Sequence, residues 1–222
     1  MDIKPIATIY TPFSEKFGIP RQSGLAQTEG KIVFNEEYRN RDAVRGLENF
    51  SHIWLIWHFS QNDQSKWSPT VRPPRLGGNT RMGVFATRSP FRPNAMGLSS
   101  VELVRISYDE KDSPVLYVRG ADMVNGTPIF DIKPYLSFTD SHPEAICGFA
   151  QDKLSYSLNV EISESDSGKI PQDSLEALLN ILKNDPRPAY QEDPERIYKM
   201  SFSDFEVSFR VENDTLFVTD II

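Results

Sequence analysis

One run of the sequence places charged side chains among residues that restrict or free the backbone. This run is Gly83–Gly97, GVFATRSPFRPNAMG, and it contains Arg88, Arg92 and Asn94 among prolines and glycines. Proline fixes φ, whereas glycine lets a ligand approach the backbone closely. Planar donors held in fixed directions suit bidentate binding of a carboxylate or a phosphate. The pattern predicts a ligand-binding loop; the alternative is a structural loop whose arginines pair with carboxylates elsewhere in the chain.

A second run, Val124–Tyr135, places a carboxylate beside a rigid turn. Its sequence is VNGTPIFDIKPY, in which Asn125–Pro128 form the turn and Asp131 follows between two apolar residues. A carboxylate in such surroundings is a candidate for an active-site acid or base. Asp131 and Lys133 could equally form a surface ion pair, and the spacing does not decide between these interpretations.

The charges are distributed unevenly along the chain. Residues 1–108 carry 14 basic and 9 acidic side chains, whereas residues 109–222 carry 10 and 22, which together give the net charge of −7. No acid occurs between Asp63 and Glu102, and the basic residues of that interval are Lys66, Arg72, Arg75, Arg81, Arg88 and Arg92. Such asymmetry indicates an anionic partner, although a solvated basic loop is the alternative.

Several classes of protein are disfavoured by what the sequence lacks. Cys147 is the only cysteine, so neither an intrachain disulfide nor a thiolate metal cluster can form, and its apolar neighbours predict that it is buried. The three histidines do not complete a metal-ligand pattern. No apolar run approaches the length of a membrane span, and residues 1–10 do not resemble a signal peptide. We therefore expect a cytoplasmic protein with no metal and no membrane partner.

The first two thirds of the chain are predicted to form short strands with little helix between them. The predicted strands are Ile3–Tyr10, Lys31–Phe34, His52–Phe59, Met82–Ala86, Val101–Tyr108 and Val115–Arg119. The third, HIWLIWHF, is almost continuously apolar, which is typical of a strand buried on both faces. This organisation favours a β-barrel or sandwich. No G-x-G-x-x-G motif opens a helix after a strand, so the fold is expected to be non-Rossmann.

The last third is predicted to form a small α+β unit. A helix beginning at Asp173 or Ser174 presents apolar residues at helical spacing, namely Leu175, Leu178, Leu179 and Leu182. Two strands, Phe205–Val211 and Leu216–Ile221, then flank an Asn-Asp turn and form a hairpin. The predicted organisation is a β-barrel domain over residues 1–150 and a C-terminal α+β domain over residues 151–222.

Five motifs in collinear order resemble the TsaA/TrmO-like family over essentially the whole chain. They are PRQSGL at Pro20–Leu25, VRPPRLGGN, GVFATRSPFRPNAMGLSSVEL, NGTPIFDIKPY and DPRPAY at Asp185–Tyr190. The one departure is Ala95-Met96, where the family commonly has Pro-Ile, and it removes no functional group. The resemblance implies a non-Rossmann β-barrel methyltransferase that uses S-adenosylmethionine and acts as a homodimer. The implied substrate is tRNA bearing N6-threonylcarbamoyladenosine next to the anticodon, which gains an N-methyl group.

The resemblance also implies site residues. Those expected to bind the cofactor are Ser23, Gly24, Leu25, Ser60, Gln61, Arg88, Leu98, Asn125, Gly126, Thr127 and Pro128. Asp131 is the hypothesised base, or the group that orients the target nitrogen. The residues expected to contact RNA are Arg72, Arg75, Arg81 and Arg92, with Tyr190 stacking on a base. The alternatives are a non-catalytic RNA-binding barrel and a small-molecule methyltransferase on the same scaffold.

Overall fold

The computed structural model describes residues 2–62, 67–73, 76, 79–153, 156–187 and 193–222. In these ranges the strands are β1 Ala7–Tyr10, β2 Glu29–Phe34, β3 His52–His58, β4 Thr70–Val71, β5 Met82–Gly83, β6 Met96–Ser107, β7 Val115–Arg119, β8 Thr127–Pro134, β9 Asn159–Glu161, β10 Tyr198–Phe202, β11 Phe205–Glu212 and β12 Thr215–Ile221. The α-helices are α1 Ser137–Asp140, α2 Glu164–Ser167 and α3 Gln172–Lys183. Single 3₁₀ turns occupy Glu36–Tyr38, Arg41–Val44, Leu47–Asn49, Val84–Ala86 and Gly148–Lys153.

Six strands close into an antiparallel barrel in the order β1-β2-β7-β6-β3-β8. Along β3 the residues Ile53, Leu55 and Trp57 point into the barrel core, while the residues between them are half-buried on the outside. The expectation that β3 is buried on both faces is therefore only partly met. The predicted fold class, a mostly β, non-Rossmann barrel with a small C-terminal α+β unit, is confirmed.

The strand predicted over Met82–Ala86 is wrong beyond its first two residues. Only Met82 and Gly83 are extended, where they pair with β4, and the following residues form a 3₁₀ turn. The N–H of Val84 donates to the carbonyl of Pro69 at 3.0 Å, and the N–H of Thr87 donates back to the carbonyl of Val84 at 3.1 Å. These two hydrogen bonds pair the backbone groups of Val84 in a turn, so the chain changes direction before it reaches Arg88.

The C-terminal unit packs α3 against a four-stranded sheet of order β10-β11-β12-β9. The predicted helix and the predicted β11–β12 hairpin are both confirmed. Sequence patterning missed the short strands β9 and β10, of which β9 pairs in parallel with β12. Three residues of β9 are too few to show an alternating pattern. The places of β9 and β10 in the sheet are fixed by pairing with strands distant in sequence or by packing, which a local pattern does not show.

The connection between β1 and β2, residues 11–28, is shared by the two cores. It leaves the barrel, and Phe13 and Ala26 are fully buried in the hydrophobic cluster of the C-terminal unit. Gly18, with φ of +90°, sits against the Met200 side chain, where a Cβ atom would come within 2.6 Å of Cε. The domain boundary near residue 150 stays a prediction, but the second core clearly includes this N-terminal segment.

A buried ion pair fixes this connection from the C-terminal side. Arg187 donates to both carboxylate oxygens of Asp185 at 2.9 Å, and the hydroxyl of Tyr156 donates to the same carboxylate at 2.8 Å. The pairing holds the intervening backbone in place, and Arg21 donates to the carbonyls of Asp185 and Arg187 at 3.0 and 2.7 Å. Asp185 and Arg187 of the DPRPAY motif thus position the chain just before Ser23.

Two further observations concern the expectations about compartment and cysteine. Within the described ranges, no helix is long and apolar enough to cross a membrane. Cys147 is exposed, so the prediction that it is buried is wrong. It lies beyond β8 in a segment where its apolar neighbour Ile146 is also exposed, which shows that apolar neighbours do not guarantee burial outside a regular element.

We expect Phe13→Ala to destabilise the C-terminal unit although residue 13 belongs to the first strand connection. Removing a fully buried phenylalanine costs about 3–5 kcal/mol because the cavity only partly collapses. The measurement is the free energy of unfolding in urea. Phe85→Ala is the matched control, since the Phe85 ring is 76% exposed and its loss should change stability by less than about 0.5 kcal/mol. Equal effects of the two changes would contradict the shared core.

Candidate ligand pocket at the end of the barrel

Loops at one end of the barrel enclose a pocket of about 630 Å³. The volume lies in the range of sites for small molecules and cofactors. Four parts of the chain line it: the β1–β2 connection, the end of β3 with its turn, the segment from Thr87 to the start of β6, and the β7–β8 connection. The lining residues are Lys16, Ile19–Gln22, Trp54, Trp57–Asn62, Thr87, Arg88, Pro90–Arg92, Met96–Leu98, Asp122–Val124 and Thr127.

The aromatic part of the wall is built by Trp57 lying on Gly97. These residues are paired across β3 and β6, and the indole covers the glycine so closely that a Cβ atom there would lie 2.2 Å from Cε2. The ring of Phe59 lies 4.2 Å from that of Trp57, centroid to centroid. Gly97 is therefore required because the Trp57 side chain packs on it. The sequence pattern instead attributed the glycines of this loop to the close approach of a ligand.

A chain of hydrogen bonds leads from Trp57 to a carboxylate in the pocket wall. The indole N–H donates to Oγ of buried Ser99 at 3.0 Å, and the Ser99 hydroxyl donates to Oδ1 of Asp122 at 2.5 Å. The backbone of Ser23 also acts on this carboxylate and lowers its pKa. Burial raises the pKa of Asp122 above its ordinary value, against the opposing effects of the Ser99 hydrogen bond, the charge of Arg88 and the Ser23 backbone.

The two arginines of the Gly83–Gly97 loop have different surroundings. The Arg88 guanidinium hydrogen-bonds the side-chain oxygen of Gln22, and its positive charge acts on the Asp122 carboxylate. Arg92 donates to the carbonyls of Thr87 and Ser89 at 3.1 and 3.3 Å, so it stabilises its own loop. Arg88 is thus bonded to Gln22, the residue before the predicted cofactor turn Ser23–Leu25, whereas Arg92 is partly engaged with the backbone.

The predicted turn at 23–25 lies in the β1–β2 connection, and the predicted turn at 125–128 follows Asp122 after β7. Backbone hydrogen bonds join these two parts of the chain. The N–H of Gly24 donates to the carbonyl of Gly120 at 2.9 Å, at the end of β7. The side-chain oxygen of Asn125 accepts from the N–H of Thr11 at 3.1 Å, and its own N–H donates to the carbonyl of Phe13 at 2.7 Å. The β7–β8 connection is therefore hydrogen-bonded to the β1–β2 connection near its start, at Thr11 and Phe13, and again near its end, at Gly24.

Among the predicted cofactor residues, the structure brings five into the pocket wall, namely Ser60, Gln61, Arg88, Leu98 and Thr127. The others are not in the lining: Ser23, Asn125, Gly126 and Pro128 adjoin lining residues along the chain, whereas Gly24 and Leu25 do not. Leu98 is 56% exposed, which leaves an apolar side chain available to a ligand at the pocket mouth. The assignment of all these residues to a cofactor remains a prediction.

Asp131 lies outside the pocket lining. A register shift between β3 and β8 places Ile56 opposite Asp131 but Trp57 opposite Ile129. Because of this shift, Ile129 and Ile132 pack against the barrel core, and the Asp131 side chain between them does not. The Asp131 carboxylate is half-exposed and forms an ion pair with Lys133 at 3.1 Å. This is the surface-pair alternative raised from the sequence. The catalytic role of Asp131 stays a prediction that this position does not favour.

The residues predicted to contact RNA are only partly described. Arg75 and Tyr190 lie outside the described residues. Because Val71 pairs with Met82, the adjoining Arg72 and Arg81 come to the same end of the β4–β5 ribbon, and both are exposed. The two positively charged side chains therefore extend from the same end of the ribbon. Their role as phosphate contacts remains a prediction.

Sequence reasoning missed the residues that organise the pocket, chiefly Gln22, Trp57, Ser99 and Asp122. Asp122 gave a usable signal, because it is a lone acid between Ala121 and Met123, just before the Asn-Gly turn. Trp57 and Ser99 gave none, since an apolar strand residue and a strand serine are common in any barrel. Within the described ranges, no cluster of three or more His, Cys, Asp or Glu side chains could hold a metal ion.

The fold and pocket define a β-barrel protein, outside the Rossmann class, with a loop-built pocket of the size that small molecules and cofactors occupy. The chain belongs to the TrmO family: residues 8–141 match the tRNA-methyltransferase O N-terminal domain and residues 155–222 match the TrmO C-terminal domain.

Three relatives illustrate the likeness. A tRNA (adenine(37)-N6)-methyltransferase of Escherichia coli strain K12 is 44% identical over 93% of this chain and 91% of its own length. A probable S-adenosyl-L-methionine-binding protein of Pyrococcus abyssi is 35% identical, over 68% of this chain and 77% of its own. The crystal structure of TrmO from Pseudomonas aeruginosa superposes with a TM-score of 0.79 at 31% identity, covering 100% of this chain and 98% of that one.

We expect Gly97→Ala to impair ligand binding in the pocket. The added methyl group would overlap the Trp57 indole, so the ring must move and the hydrogen bond to Ser99 must break. Gly83→Ala is the steric control, because a Cβ atom there meets nothing within 4 Å and φ is −58°. Equilibrium dialysis with S-adenosylmethionine should show at least a tenfold weaker Kd for Gly97→Ala alone, about 1.4 kcal/mol. Unchanged binding would disprove this account of the wall.

Proposed function

We propose that this chain is an S-adenosylmethionine-dependent tRNA methyltransferase that N-methylates N6-threonylcarbamoyladenosine next to the anticodon. The observation that carries the proposal is the convergence of residues from separate family motifs in one pocket, with Arg88 and Asp122 in its wall. Family membership supports the reaction type, and the names of the relatives support the substrate class.

The chemistry of the pocket fits the methyl donor. Arg88 offers a guanidinium for a carboxylate, and Trp57 and Phe59 offer apolar surface for an adenine or a thioether chain. When bound, S-adenosylmethionine supplies an electrophilic methyl group attached to a positively charged sulfur. The chain's part in transfer is chiefly alignment, because holding nucleophile and methyl group in line supplies much of the acceleration.

For tRNA we propose that Arg72, Arg75, Arg81 and Arg92 contact phosphates, of which Arg75 lies outside the described residues. We further propose that the protein acts in the cytoplasm as a homodimer. The apolar side chains of Phe138 and Ile146 are 86% and 94% exposed, which supports a partner on that side of the chain. The segment carrying them directly follows β8.

Nucleoside analysis of tRNA tests the proposed reaction. Cells lacking the protein should lose the methylated threonylcarbamoyladenosine, measured by mass spectrometry, and regain it when the gene is restored. Persistence of the modified nucleoside would refute the proposal. If the purified protein binds S-adenosylmethionine but leaves tRNA unmethylated, a small-molecule methyltransferase is favoured; failure to bind the donor favours a non-catalytic RNA-binding barrel.

The phosphate role of the β4–β5 ribbon is tested by Arg72→Ala with Arg81→Ala. Each lost phosphate contact should reduce the slope of log K against log salt by roughly 0.7 to 0.9. Donor affinity should stay unchanged, since neither residue lines the pocket. Arg45→Ala is the control, because Arg45 is an exposed arginine paired with Asp42 outside the basic interval. An unaltered slope in the double variant would remove these residues from the RNA interface.

A further inference from the structure

We propose that Asp122 is the catalytic residue that accepts the proton of the target nitrogen during methyl transfer. The inference rests on the proposed function and identifies a group that the family motifs in the sequence did not assign. It is carried by position: among the described residues lining the pocket, Asp122 is the one carboxylate. It accepts the last hydrogen bond of the chain that runs from Trp57 through Ser99.

The chemistry requires such a group. The target N6 is bonded to an adenine ring and to a carbonyl, so its lone pair is delocalised and it is a poor nucleophile while it keeps its proton. As N6 forms its bond to the methyl carbon, the methyl–sulfur bond breaks and its electron pair stays on sulfur, which becomes neutral. The N6 proton passes to the Asp122 carboxylate, which becomes a neutral acid and later releases it to solvent. The N6 product and the carboxylic acid carry no charge.

The surroundings of Asp122 suit a base. Its orientation is fixed by the Ser99 hydroxyl at 2.5 Å, and Ser99 is itself fixed by Trp57, so the carboxylate is held without needing to reorganise. Burial raises its pKa, and a more basic carboxylate takes up a proton more readily. Asp122 also shares the pocket with Arg88, the group proposed to bind the carboxylate of the methyl donor.

Asp131 is the competing candidate, and geometry separates the two. Asp131 is paired with Lys133 on the outside of the barrel, whereas Asp122 faces the pocket. A base must come within hydrogen-bond reach of the proton it removes. Of these two carboxylates, only Asp122 lines the pocket that Arg88 also lines.

The test compares Asp122→Asn with Asp131→Asn in the full-length protein. Asp122→Asn should lower single-turnover methylation of tRNA by at least about 100-fold. The Kd values for S-adenosylmethionine and for tRNA should stay within about threefold, because Asn keeps the shape and the acceptor for Ser99. Asp112→Asn is the carboxylate control, since Asp112 is paired with Arg39 outside the pocket. Ser99→Ala should give an intermediate loss, because it removes the positioning hydroxyl but keeps the base.

Two outcomes overturn the inference once the wild type methylates tRNA. One is Asp131→Asn abolishing turnover while Asp122→Asn retains it. The other is a rise in donor Kd that matches the loss of turnover in Asp122→Asn, which would make Asp122 a donor-binding group. If the wild type itself does not methylate tRNA, the proposed function fails first, and that result is distinct from either of these.

The pH dependence provides a readout that a structural role would not share. Turnover should rise with pH as Asp122 ionises, and this limb should disappear in Asp122→Asn. The other charged or titratable side chains of the pocket are Lys16, Arg21, His58, Arg88 and Arg92. If Asp122 is the base, His58→Gln should keep the limb. Loss of the limb in His58→Gln but not in Asp122→Asn would assign it to the histidine and overturn the inference.

Stability should move in the opposite direction to activity. Because folding raises the pKa of Asp122, the folded state binds more protons than the unfolded state between the ordinary aspartate pKa and the raised one. Wild-type stability therefore falls as pH rises through that window, and it stays lower above it. Asn carries no such cost, so the Tm of Asp122→Asn should equal or exceed that of wild type at neutral pH. A clearly lower Tm would indicate a structural carboxylate instead.

Discussion

The segment between β1 and β2 has to satisfy two hydrophobic cores at once. Both ends belong to barrel strands, yet Phe13 and Ala26 are buried in the C-terminal unit, and Arg21 is held by carbonyls beside a buried ion pair. Because the segment is fixed at these points, its middle, which lines the pocket from Lys16 to Gln22, has little freedom. The C-terminal unit thereby contributes to a site it does not itself line.

The β7–β8 connection is the second constraint, because its hydrogen bonds hold the parts of the chain that build the pocket. The Gly120 carbonyl accepts from the N–H of Gly24 in the predicted cofactor turn, and Asp122 accepts from the Ser99 hydroxyl. The side chain of Asn125 accepts from the N–H of Thr11 at the start of the β1–β2 connection. Burying a carboxylate costs free energy unless donors compensate for lost water, and here they do so incompletely. A raised pKa is the result, and it is the property that a base in this position would use.

Much of the site could be predicted from the sequence because loops that bind ligands are rich in residues with restricted backbones. The motifs around Arg88 and Asn125 stand out for that reason, and the fold class follows from short strands without βαβ spacing. Asp131 stood out for the same local reason as Asn125. A register shift of one residue turned it to the outside of the barrel, and such a shift leaves no trace in a local pattern.

What the sequence by itself determined is therefore local: all the barrel strands except β8, the helix α3, the hairpin β11–β12 and the stiff loop that presents Arg88. Only the tertiary structure decided that Phe13 belongs to the second core, that Gly97 yields its space to Trp57, and that Asp122 faces the pocket. The physical reason is the range of the interactions. Backbone restriction and periodicity act between near neighbours, whereas burial and hydrogen bonding join residues that only folding brings together.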